Sequence, residues 1–207
     1  MTTGEYLEVL VEERSAAAAL RRLLPKIVPA VSFEIREFNG KTTLLKNLPS
    51  RLAGYAKRLR WQPVKIVILV DRDDDDCVEL KRDLDRMAED AGLVVTGRPG
   101  DVHLVNRIAI EELEAWFFGD VPAINRAYPK VPLSLGSKAG FRDPDAIKGG
   151  TWEALERVFK SHGYHQSGLR KLEAADAIAL TMNVEANESA SFQKFRDGVR
   201  RLMEGSN

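Results

Sequence analysis

The sequence predicts an α/β fold: a mainly parallel sheet flanked by helices, followed by a C-terminal helical extension. Three observations carry this. Strand and helix signals alternate over the first two-thirds of the chain. The strand signals include near-continuous apolar runs, the kind a parallel sheet buries on both faces. After Asp120 the strand signals stop, and prolines and glycines separate short helical patterns.

Tyr6–Val11 is a near-continuous apolar strand, and the Ala-rich, Leu-spaced stretch from Ser15 to Ile27 reads as a helix. Phe33–Phe38 alternates instead, with Phe33 and Ile35 set against Glu34 and Arg36, which suits a half-exposed edge strand. Leu48, Leu52, Tyr55, Ala56 and Leu59 share one helical face, and Pro49 is expected to start or kink that helix. Val64–Val70 is the strongest strand signal. A helix over Asp76–Ala91 ends at Gly92, a C-cap residue by type. Val102–Ile110 is a further strand, running into a helix that contains Glu111 to Phe118. Beyond it, helices are expected at Ala123–Ala127, Trp152–Ser161, Leu169–Leu180 and Ser191–Met203. The division expected is a core over residues 1–120 and an extension over 121–207 that packs on it.

With 207 residues, 44% of them hydrophobic, the chain can bury a full core without staples. A single cysteine excludes a disulfide framework and a Cys-based zinc site, and fits a reducing, cytoplasmic setting. The longest strongly apolar run, Ile66–Val70, is far too short to span a bilayer, so no membrane partner is expected. The 31 basic residues balance 31 acidic ones, which on its face argues against nucleic acid. The distribution changes that reading. Phe38 to Val70 has no acid and seven bases, whereas Asp71 to Asp90 has ten acids and four bases. Residues 121–207 carry thirteen bases against ten acids. A basic stretch beside an acidic one suits a metal-dependent enzyme acting on a polyanion; solvated polar faces are the plainer explanation of any single charge run.

Three apolar strands end directly in acids: Glu12-Glu13, Asp71-Arg72-Asp73 and Glu111-Glu112-Leu113-Glu114. In a parallel sheet the carboxyl ends share one edge, so clusters distant in sequence converge there. Hard divalent cations such as Mg²⁺ take oxygen ligands and keep several waters, so two or three carboxylates suffice. Glu12 is the first-strand candidate, and Asp71 and Asp73 can face one site if the backbone between them stays extended. Asp74, Asp75 and Asp76 read as loop and helix N-terminus residues. Glu111 and Glu114, three apart, would share a helical face, with Glu112 pointing elsewhere.

These residues carry a resemblance. A Glu after the first strand followed by Asp-x-Asp after a later one resembles the Toprim domain of primases, topoisomerases and overcoming-lysogenization-defect nucleases. Leu10-Val11-Glu12, Leu69-Val70-Asp71-Arg72-Asp73, Ile110-Glu111-Glu112-Leu113-Glu114-Ala115-Trp116-Phe117 and Ser191-Phe192-Gln193-Lys194-Phe195 resemble domain-of-unknown-function family 4276, a Toprim-like group, over nearly the whole chain. Glu13 and Ala16 stand where Toprim domains usually have Gly and an acid. The resemblance implies a Mg²⁺- or Mn²⁺-dependent phosphodiesterase, a nuclease acting on DNA or RNA. Glu12, Asp71 and Asp73 would be metal ligands, and Glu12 with Glu114 or Glu111 would be catalytic. Lys41, Arg51, Arg58 and Arg60 are the candidates for backbone contacts. It also implies an ABC- or AAA-type ATPase partner in bacterial anti-phage defence. The alternative is a non-catalytic subunit of such an ATPase complex that keeps the fold.

Other motifs fail on their spacing. Gly40-Lys41-Thr42 lacks the P-loop glycine, because that position is Ile35. Asp71, Asp73 and Asp75 have EF-hand spacing, but Asp76 and Arg82 stand where Gly and Glu are required. His162 and His165 read as turn residues, Cys77 as a passive helix residue, and Trp116 and Trp152 as packing residues.

Overall fold

The computed structural model describes residues 6–73, 75–110 and 112–205. Its centre is a four-stranded, all-parallel sheet of β1 (Tyr6–Val11), β2 (Ser32–Glu37), β3 (Val64–Asp71) and β4 (Leu104–Ala109), in the order β2-β1-β3-β4. Val9 of β1 pairs with Ile35 of β2 and Val67 of β3, and Val67 pairs in turn with Val105 of β4. The chain leaves β1 toward β2 on one side and returns to β3 on the other. The strand order therefore reverses between β1 and β3, and in open α/β sheets that crevice, outside the carboxyl ends, is where ligands bind.

Period-2 alternation sorts the strand residues onto two faces. Leu10, Val64, Ile66, Ile68, Val70 and Leu104 pack under α2 (Lys41–Arg58) and α3 (Cys77–Asp90). Leu7, Val9, Val11, Val67, Leu69, Val105 and Ala109 pack on α1 (Arg14–Ile27) and on the helices that follow the last strand. Those are α4 (Glu114–Phe118), α5 (Val121–Ala127), α6 (Thr151–Ser161), α7 (Lys171–Thr181) and α8 (Ala190–Glu204). The residues after Asp120 thus share one continuous hydrophobic cluster with β1 and α1.

Small side chains set that seam. Ala16, Ala17 and Ala19 of α1 and Ala174, Ala175 and Ala179 of α7 are all buried where the two helices meet. Polar contacts close its edges. Arg22 donates two hydrogen bonds to Asp176, at 2.7 and 3.0 Å. Lys26 caps the end of α7 by donating to the carbonyls of Ala179, Leu180 and Met182. Trp116 is fully buried, donates to the Ser191 hydroxyl at 3.0 Å and lies against Phe192 and Phe195, so the Ser191–Phe195 segment serves core packing. His165 bonds Tyr128 and His162 bonds the Val158 carbonyl, both in the turn after α6.

Two boundaries differ from expectation. The second helix does not start at Pro49; it begins eight residues earlier at Lys41, with Pro49 inside it. Gly40 makes this possible at φ 89°, a left-handed conformation open to glycine, and its N–H donates to the Glu12 carbonyl at 2.9 Å. After β4 the helix starts only at Glu114, so the helical-face argument for Glu111 and Glu114 does not apply. Among the described residues no helix is long and apolar enough to cross a membrane.

Candidate metal and phosphate site

The site lies at the carboxyl end of the sheet, at the reversal between β1 and β3. Glu12 follows β1 and is 6% exposed, and its Oε1 accepts a hydrogen bond from the backbone N–H of Asp71. Asp71 is the last residue of β3. Glu114, 3% exposed, opens the short helix after β4. The structure thus brings together acids from three strand ends.

Their titration records the crowding. Burial, then the neighbouring charges of Glu12, Glu114 and Asp73, push the Asp71 carboxyl well above the ordinary carboxylate range. Burial also raises Glu12, partly opposed by its bond from the Asp71 amide and by Lys41. Glu114 is pushed up to about 7, chiefly by burial; Lys171 works against the rise, and Glu112 and Glu13 add to it. Carboxyls raised together by burial and mutual repulsion mark a place where positive charge is missing.

Asp73 is not reached by an extended backbone. It has φ 49°, a left-handed conformation that Asp tolerates better than most residues, and this turn carries its carboxylate to Lys41. The Lys41 ammonium lies 2.6 Å from Asp73 and 2.9 Å from Asp75, and donates to the Arg72 carbonyl at 3.2 Å. Burial alone would lower the Lys41 pKa, but Asp73 and Asp75 outweigh it and hold the residue as a cation. Asp76 caps α3 by accepting from the N–H groups of Val78 and Glu79. Glu112 faces away from the site: its Oε2 accepts from the N–H of Thr151, the hydroxyl of Thr151 and the N–H of Trp152, capping α6. Glu111 lies outside the described residues.

The four expected phosphate-contacting cations are spread apart. Lys41 opens α2, and Arg58 ends it about 26 Å away at 1.5 Å per residue. Arg58 belongs to the opposite end of the sheet, where it bonds the buried Glu8 at 2.7 Å and covers the Tyr6 ring. Arg51 and Arg60 are exposed, on and just beyond the same helix. Only Lys41 adjoins the carboxylates. The sequence reading missed Lys171, the first residue of α7, which lines a cavity of ≈ 500 Å³ together with Glu12, Glu13, Asn39 and Gly40. It rests over the Trp152 ring at 5.0 Å. No motif announces it, because it arrives from the far end of the chain.

Among the described residues, no three His, Cys, Asp or Glu side chains form a ready-made ligand cluster. Lys41 already holds Asp73, and Glu112 is committed to α6. The donor chemistry nevertheless fits a hard divalent cation, since Glu12, Asp71 and Asp73 offer only carboxylate oxygens.

The family model described as Domain of unknown function (DUF4276) matches residues 11–200. The chain belongs to that family. Comparison with curated proteins finds no match, and comparison with solved structures finds none. The DUF4276 match runs from the end of β1 to α8, so it takes in the strand-end acids and the helices that bring Lys171 to them.

Proposed function

We propose that this protein is a Toprim-like, Mg²⁺- or Mn²⁺-dependent phosphodiesterase acting on nucleic acid. The observation that carries this reading is the convergence of Glu12, Asp71 and Glu114 at the sheet's reversal point, with more negative charge than the neighbouring cations balance. Glu12, Asp71 and Asp73 would hold the ion, with Asp73 drawn from Lys41. The ion would supply neutralisation of phosphate charge and a more acidic water. The chain's own residues do the rest. Lys41, released from Asp73, and Lys171 would hold phosphate oxygens. Glu114, with its carboxyl pushed up to about 7, can take or return a proton near neutral pH.

Two measurements test this. Calorimetric titration with Mn²⁺ should give heat with the wild type and none with the Asp71→Ala, Asp73→Ala double variant. Mn²⁺-dependent cleavage of DNA or RNA should fall about 100-fold or more in Asp71→Ala. Unchanged cleavage in that variant sinks the assignment. One observation favours a second reading, a non-catalytic subunit of an ATPase complex: the Lys41 ammonium already stands between Asp73 and Asp75. On that reading the wild type gives no heat with Mn²⁺ and co-purifies with its ATPase.

A further inference from the structure

We propose that the groove along the outer edge of β4, between α3 and α8, binds a single-stranded segment of nucleic acid through Arg107, Lys194 and Arg201. The groove has a volume of ≈ 720 Å³. Its other cations are matched by acids: Lys81 with Asp85 at 2.8 Å, Arg98 with Glu89 at 2.6 Å, Arg82 with Glu79 at 3.4 Å and Arg86 with Asp83 at 3.5 Å. Arg107, Lys194 and Arg201 differ. Among the described residues none of the three forms an ion pair, and Asp197, on the same helix, is engaged by Arg196 at 2.7 Å. Arg107 uses two of its nitrogens on the carbonyls of Lys194 and Asn106. It lies across Gly198 of α8, where a β-carbon would overlap its guanidinium. A glycine thus makes room for a cation held at the groove with no ion pair of its own among the described residues. Burial and then the charge of Arg201 hold its pKa below the ordinary value, against the opposing pull of Asp85 and Asp197.

The rest of the groove selects among polyanions. Val78, 69% exposed, with Ile108 and Ile110, gives it an apolar wall. Unstacked bases can use such a wall, whereas a duplex keeps its base faces inside. An acidic peptide adding to the sheet edge meets a strand blocked over its first half. The outward carbonyl of Leu104 already accepts from Thr96, and that of Asn106 accepts from Arg107. Cys77 and Ile110 place one end of the groove at the same edge of the sheet as Asp71 and Glu114. A strand in it would therefore lead to the acidic site; that last step alone rests on the phosphodiesterase reading.

The test is fluorescence anisotropy of a labelled twelve-nucleotide dT or rU oligomer in EDTA, where cleavage does not contribute. The variant is Lys194→Ala, Arg201→Ala, which alters exposed side chains only. Wild type should bind with a salt-dependent affinity. The double variant should bind about 10-fold more weakly at low salt, with the log–log salt slope reduced by about 1.4 for two lost phosphate contacts. Lys46→Ala, Lys57→Ala, which removes two exposed cations of α2, should bind as wild type does. Equal affinity of wild type and the α8 variant overturns the proposal, as does no binding by wild type. Competition by a poly-Glu peptide, or by a mononucleotide at equal phosphate concentration, as strong as that of unlabelled oligomer also overturns it. Binding in EDTA that Asp71→Ala retains, with no cleavage by any form in Mn²⁺, leaves the groove standing and removes the phosphodiesterase; cleavage with an unaffected α8 variant does the reverse.

Discussion

Glu8 and Glu12 stand four residues apart, on β1 and just past its end, both nearly inaccessible to water, and the protein treats them in opposite ways. Glu8 accepts from Arg58 at 2.7 Å, Tyr55 at 3.0 Å and Arg36 at 3.3 Å. Glu12 has a single backbone N–H, a more distant Lys41, and the charges of Asp73 and Glu13 against it. A buried carboxylate costs several kcal/mol of desolvation unless opposite charge and hydrogen bonds offset it. At Glu8 the fold supplies them, and the residue belongs to the scaffold. At Glu12 it does not, and the missing charge is what the proposed cation would supply.

The sharpest way to break this comparison is Glu8→Ala. It leaves the Arg58 guanidinium and the buried Tyr55 hydroxyl without their shared acceptor, Arg36 keeping Glu34, and should cost roughly 3–5 kcal/mol in urea unfolding. A cost below about 1 kcal/mol would mean that the Glu8 cluster is no anchor. The pH dependence comes next. Glu114 titrates at about 7 in the folded protein against an ordinary 4.5, so the native state keeps its proton where the unfolded chain has released it. Its contribution to stability is full below pH 4.5 and is lost as pH rises toward 7, a decline on the order of 2–3 kcal/mol. Asp71 and Glu12 are raised too and act with the same sign. Denaturation at pH 5 and pH 8 should show this decline, and Glu114→Gln should flatten it; an unchanged slope in that variant rules Glu114 out as its source. The smallest effect belongs to Glu12→Gln. Gln can still accept from the Asp71 amide while relieving the repulsion, so stability at pH 8 should change by less than about 1 kcal/mol, toward stabilisation. A loss comparable to that of Glu8→Ala would make Glu12 a scaffold residue as well.

Much of the architecture was legible because each strand announces itself. β1 and β3 are mostly apolar and lie inside the sheet, while the alternating β2 lies at its edge. Acids directly after β1 and β3 had to share an edge once the strands were parallel. The start of α2 was not legible, because Gly40 acts there through its conformation and its bond to the Glu12 carbonyl. The role of Glu112 depends on Thr151, thirty-nine residues further along the chain. Nor did the acid-free stretch from Phe38 to Val70 form one basic surface. On a helix of eighteen residues its charges are spread from end to end, Lys41 among acids at the start and Arg58 against Glu8 at the finish.

The sequence by itself determined the α/β class, the parallel strands and the shared edge at which the acids after three strands would lie, because apolar periodicity and strand direction are local properties. Only the tertiary structure decided which charges are answered. It gave three donors to Glu8, one amide to Glu12, an ammonium to Asp73 and three helix-capping donors to Glu112, and it left Arg107, Lys194 and Arg201 without ion pairs among the described residues. Pairing depends on distances of a few ångströms between residues far apart in the chain, and neither composition nor spacing encodes those distances.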